Sequence, residues 1–141
     1  MLPTVLAALL LTAEPAAPRF PATCTFTESA DRPADVKKKG REYERISVGS
    51  VSPPLVVYLN APDKANKLLI ASNNGEAMAT LITNKEWQTA ILEITPDGAP
   101  VLISIYWQRG GQEPLAVMSR HTEFMGYGIP QQLYGTCVRS P

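Results

Sequence analysis

Two cysteines, Cys24 and Cys137, stand near opposite ends of this 141-residue chain. With two thiols only one internal bridge can form, and it would tie the opening segment of a domain to the closing one. Such bridges persist in oxidising compartments and are rare in the cytosol. Closing a loop of about a hundred residues restricts the unfolded chain enough to add roughly 4–5 kcal/mol of stability. The pair therefore predicts an exported domain whose first and last strands are stapled. A bridge with that role leaves no thiol for catalysis. A metal site built on cysteine would need further ligands, and the single histidine, His121, is not at finger-like spacing. No metal and no cofactor are expected.

What precedes Cys24 agrees with export. Residues 1–13 read MLPTVLAALLLTA, an apolar block followed by small residues. That is the pattern of a secretory signal peptide, although its start carries no Lys or Arg. The block is too short to span a bilayer, which takes about 20 apolar residues. Residues 14–23, EPAAPRFPAT, hold three prolines and read as a Pro/Ala-rich spacer. Pro21-Ala22-Thr23 does not make the lipobox that a lipid-anchored Cys24 would require. Residues 24–141 are then a single β domain.

Thirteen Lys and Arg balance thirteen Asp and Glu. Nucleic-acid and anionic-membrane binding both call for a basic excess, so neither is favoured. No stretch beyond the leader is apolar and long enough to insert stably in a membrane as a helix.

Past Cys24 the apolar residues recur with period two, and turn signals return every eight to twelve residues, as in sandwiches and barrels. The expected strands are 24–27, 43–48, 55–59, 67–72, 76–83, 87–94, 101–107, 115–121 and 132–138. A polar loop at 31–40, with Lys37, Lys38 and Lys39, has room for one helical turn. Pro53-Pro54 is expected to interrupt the chain before 55–59. Asn73-Asn74-Gly75 and Pro96-Asp97-Gly98 are turn signals, because Asn and Gly tolerate positive φ. Arg109-Gly110-Gly111 is a further turn, and Gly126, Gly128 and Pro130 mark a loop before the last strand. The fold class is thus all-β: an antiparallel meander of about eight or nine strands, closed as a small barrel or packed as a sandwich.

Few residues suggest chemistry. Ser119 and His121 share a strand face, but a catalytic pair needs a third group to orient the histidine and an oxyanion pocket. No Gly-x-Ser-x-Gly elbow is present. Glu93 and Asp97 carry no signal of the paired carboxylates that glycoside hydrolysis uses, and Asp97-Gly98 reads as turn chemistry. Neither Gly-rich turn leads into a helix that could hold a phosphate. Tyr106 and Trp107 are consecutive, so one points in and one out. The outward one is the best candidate for a binding contact. Tyr106, Trp107, Arg120 and His121 are together the candidate binding surface.

Three segments carry a resemblance: IASNNGEAMATLI, LEITPDGAPVLISIYW and AVMSRHTEFMGYGIPQQLYGTC. They resemble a family of small, uncharacterised exported (periplasmic) two-cysteine β proteins of alphaproteobacteria. The closing pattern, Ser119-Arg120-His121, Pro130, Gln132, Tyr134-Gly135 and Cys137, is the most specific part. The resemblance covers the chain from about Leu68 to Cys137, and implies a compartment and a β pattern but no activity. The expectation is a non-enzymatic periplasmic or secreted binding protein, inhibitor-like or an envelope accessory, whose partner is an envelope or extracellular protein. A small-ligand carrier using a barrel cavity is the alternative. A hydrolase using His121 is the third reading.

Overall fold

The computed structural model describes residues 19–31, 47–108, 112–124 and 127–140. The leader, the first part of the spacer, the lysine loop with its helical turn, most of the strand expected at 43–48 and the Arg109-Gly110-Gly111 turn lie outside those residues. Eight strands follow in order. They are β1 (Ala22–Asp31), β2 (Ser47–Leu59), β3 (Lys67–Ser72), β4 (Gly75–Asn84), β5 (Gln88–Ile94), β6 (Pro100–Tyr106), β7 (Leu115–Phe124) and β8 (Tyr127–Arg139). Each pairs antiparallel with the next, and β8 pairs back onto β1, so the meander closes into a barrel. No helix occurs among the described residues.

Closure is sealed where the cysteines predict it. Cys24 on β1 lies directly opposite Cys137 on β8, and the two form a disulfide. Both are fully buried. The alternation legible in the sequence sorts the side chains across the wall. On β6, Val101, Ile103 and Ile105 point inward, while Leu102 and Tyr106 point out. Inward rows run around the barrel, as in Ile91, Ile103, Met118 and Leu133 on four successive strands. With Phe26, Val57, Leu59 and Leu68 they fill the middle of the barrel. Each such side chain contributes about 1.5–3 kcal/mol on burial, so the core is a stabilising plug rather than a channel.

Two expectations about proline need correction. Pro53-Pro54 does not interrupt a strand; both lie inside β2. Leu55 pairs with Phe26 and Ser50 with Glu28, so residues 51–54 bulge out opposite Thr27. β3 begins to pair with β2 only at Val57. The prolines thus sit where no ladder partner requires an N–H. Likewise Gly126–Pro130 is not simply a loop, since β8 already starts at Tyr127. Pro130 pairs with His121 on β7, while β1 reaches no further along β8 than Gln131. Proline is tolerated there because no described residue pairs with that edge of the strand. At the other boundary β1 starts at Ala22, two residues inside the stretch expected as spacer.

These extensions make the barrel lopsided. β3 to β6 end at the rim, while β2, β1, β8 and β7 continue past it as a four-stranded sheet. On β1 a register shift between Phe26 and Glu28 accompanies the extension. Gly135 faces that irregularity, where a Cβ would lie 1.9 Å from the Thr25 carbonyl oxygen. Only glycine lets β1 and β8 approach so closely. The positive φ expected around Asn73-Asn74-Gly75 falls on Gly75 alone, at 131°. Ser72 and Gly75 close that hairpin, and the Ser72 hydroxyl accepts the Asn74 N–H at 3.1 Å.

Candidate functional site

The two ends of the barrel differ. At the end nearer the disulfide, Trp107 follows β6 and turns inward, 9% exposed. Its Nε1–H donates to the Thr89 hydroxyl at 2.7 Å, and that hydroxyl donates to Asn84 Oδ1 at 3.0 Å. Thr89 is fully buried, so this chain satisfies a polar group that would be costly alone. The Arg19 and Arg139 guanidinium groups each lie 5.5 Å from the centre of the Trp107 ring, within cation–π range. Arg19 also donates to the carbonyls of Lys85 and Glu86, and to Asn84 Oδ1 at 3.3 Å. Desolvation, and then repulsion from Arg139, lowers the Arg19 pKa, with Glu86 acting the other way.

The opposite end is an open mouth. A cavity of about 220 Å³ enters between the β3–β4 turn and the β5–β6 turn. Its floor is apolar, formed by Leu55, Val57, Ile70, Val101, Ile103 and Met118, and its rim carries Asn74, Glu76, Glu93, Thr95 and Arg120. A second cavity of about 340 Å³ lies under the sheet extension, lined by polar groups such as Ser29, Ser50, Asn73 and Gln131. Both cavities share Leu55, Asn74 and Arg120. They form one bent cleft with Arg120 at its waist.

The β5–β6 turn beside the mouth is held by Asp97. The Thr95 hydroxyl donates to the Asp97 carboxylate, and Gly98 N–H donates to the Thr95 carbonyl at 2.8 Å. The hydrogen bond from Thr95 lowers the Asp97 pKa below its ordinary 3.8.

The four candidate residues do not share one surface. Tyr106 points outward, as one of the consecutive aromatic pair must. Trp107 is corrected from surface to core, because it continues the inward series Val101, Ile103, Ile105. Arg120 points inward in the series Ala116, Met118, Arg120 and lines the mouth. His121 is exposed on the outside, opposite Pro130. Val101 pairs with Arg120 and Tyr106 with Leu115, so Tyr106 and Arg120 are five residues, about 16 Å, apart along the strands. Ser119 and His121 do share the outer face of β7, but no hydrogen bond joins them among the described residues. No cluster of His, Cys, Asp and Glu able to hold a metal occurs among the described residues.

Sequence reasoning overlooked the wall. The outward positions of β5 are Gln88, Ala90, Leu92 and Ile94; those of β6 are Pro100, Leu102, Ser104 and Tyr106. On β7, as far as His121, they are Leu115, Val117, Ser119 and His121. None is Lys, Arg, Asp or Glu. Leu92 lies beside Leu102, and Tyr106 beside Leu115, while Met78 and Ile94 are more than half exposed nearby. The signal was present as the second half of each alternating strand, where solvent-facing positions ordinarily carry charge.

Comparison with protein-family models, with curated proteins and with solved structures finds no match. The likeness to exported two-cysteine proteins therefore rests on the quoted segments alone.

Proposed function

We propose that this chain is an exported, non-enzymatic binding module that docks a protein partner on the outer wall of β5, β6 and β7. The observation that supports it is the uncharged face formed by those three adjacent strands, with Ile94, Leu102, Tyr106 and Leu115 exposed. A contiguous apolar face on a folded domain is the usual mark of an interaction surface, and tyrosine is a frequent anchor in such surfaces. The rigid closed wall presents these groups without the entropy cost of ordering a loop. Export is supported by the disulfide between Cys24 and Cys137 and by the leader-like residues 1–13. No helix among the described residues is long and apolar enough to cross a membrane. The partner is accordingly an envelope or extracellular protein, and an inhibitor-like or accessory role suits a domain with this filled core.

The test is site-specific photocrosslinking on the full chain in its own host. A photoreactive side chain replaces Leu102 on the proposed face, or Thr25 on the opposite wall as control. The expected result is a discrete protein adduct from Leu102 that an added Ile94→Lys change removes. Equal labelling from both positions, or an adduct indifferent to Ile94→Lys, would count against the face.

A further inference from the structure

We infer that the open mouth of the barrel binds a small carboxylate with an apolar body, held by Arg120. This site is separate from the outer wall and draws on different observations. Among the described residues Arg120 is the only cation lining either cavity, and both cavities reach it. It is partly buried, and it carries no hydrogen bond or ion pair among the described residues. A guanidinium holds five N–H donors in a planar fork. A half-buried fork without an acceptor is an unmet demand, and a carboxylate meets it with two parallel hydrogen bonds.

The surroundings narrow the ligand. Glu93 on β5 pairs with Val101, which pairs with Arg120, so Glu93 and Arg120 flank one inward position. They nevertheless do not close into an ion pair among the described residues. Glu76 lines the same cavity from the β3–β4 turn. Two carboxylates near one guanidinium disfavour a doubly charged anion such as phosphate, so a single negative charge suits the mouth. The floor beneath is apolar throughout. Its volume, about 220 Å³, exceeds the roughly 150 Å³ of a cavity that admits benzene. An aryl ring or a short alkyl chain fits there, with its carboxylate rising to Arg120. Polar groups on the ligand beyond the carboxylate would face Ser29, Ser50 and Gln131 in the second cavity.

Octanoate and 3-phenylpropionate are the probes, with octanol and octylamine as neutral and cationic counterparts. Each is titrated into the full disulfide-bonded chain and followed by calorimetry and by amide chemical shifts. Both carboxylates should bind in preference to octanol and octylamine, moving the signals of Val101, Ile103 and Met118. Arg120→Gln should weaken octanoate at least ten-fold, and Arg120→Lys, which keeps charge but loses the fork, should weaken it less. Glu93→Gln should tighten octanoate by removing a like charge. Ala77, paired with Ile70, also lines the cavity, and Ala77→Phe, which fills it and leaves Arg120 in place, should abolish binding. Octylamine binding as well as octanoate would overturn the proposal. So would octanoate binding unchanged in both Arg120→Gln and Ala77→Phe, or no carboxylate binding at all.

Discussion

The two ends of this barrel use arginine in opposite ways. At the end nearer the disulfide, Arg19 and Arg139 both lie against the Trp107 ring, and Arg19 is hydrogen-bonded to carbonyls. Beneath them every buried polar group in the Trp107–Thr89–Asn84 chain has a partner. At the mouth, Arg120 points into a cleft and none of its donors is used by a described residue. The first arrangement is what a structural plug requires: apolar bulk, satisfied polar tips and cations spread over an aromatic face. The second leaves a charge half-desolvated with no return in stability. The same residue type thus marks a sealed end and a receptive one, and its partners rather than its presence tell the two apart.

The sharpest way to break this comparison is to truncate one residue at each end. Trp107→Ala removes a buried aromatic and the donor to the Thr89 hydroxyl, and should cost about 3–5 kcal/mol. Arg120→Gln breaks no side-chain hydrogen bond or ion pair among the described residues and should change stability by about 0.5 kcal/mol or less. Urea unfolding of both variants reads the difference directly, and equal losses would dissolve the distinction between the ends. A smaller effect comes from Thr89→Val, which keeps the volume but leaves the Trp107 N–H without its acceptor. About 1–3 kcal/mol should be lost, and the near-ultraviolet circular dichroism of the tryptophans should change.

The smallest effect concerns pH and belongs to the mouth. Asp97 is fully exposed, and its folded pKa lies below the ordinary value of 3.8, chiefly through the hydrogen bond from Thr95. The fold therefore favours the ionised form. Its contribution is complete above the unfolded pKa and fades as pH falls through the lower, folded one. The Gly98 amide, bonded to the Thr95 carbonyl, should exchange faster on acidification below that range, and Asp97→Asn should remove the dependence. The Trp107–Thr89 hydrogen bond, made between two neutral groups, should show no such change over the same range.

How much of this was legible in the chain follows from what each residue pair depends on. Period-two alternation depends on one strand at a time, so the split of Tyr106 and Trp107 onto opposite faces could be read directly, while which of them enters the core is decided by the closed barrel. The disulfide was legible because two cysteines permit a single bridge. Pro53, Pro54 and Pro130 misled, because whether a proline breaks a strand depends on whether a neighbouring strand needs its N–H. That is a property of the sheet and not of the segment. The cleft was hidden for a related reason. Arg120 could be placed on a face from Ala116 and Met118, but its meeting with Glu93, Asn74 and Ser29 needs five strands in register. Arg19 lay in apparent spacer, and only the closed barrel brings it to Trp107 and Arg139.

One residue of slack on β1 bears on everything at the mouth. Before the irregularity the inward residues are Ala22, Cys24 and Phe26; after it the next inward residue is Ser29, opposite Leu133, while Glu28 stays exposed. A regular strand would have carried the even-numbered series forward and delivered Glu28 into the cleft. The extra residue, accommodated by Gly135, acts as a phase shift that hands the interior a hydroxyl in place of a third carboxylate. Deleting Thr27 would straighten the strand and, by alternation, still leave Glu28 facing out opposite Tyr134 and Ser29 facing in opposite Leu133.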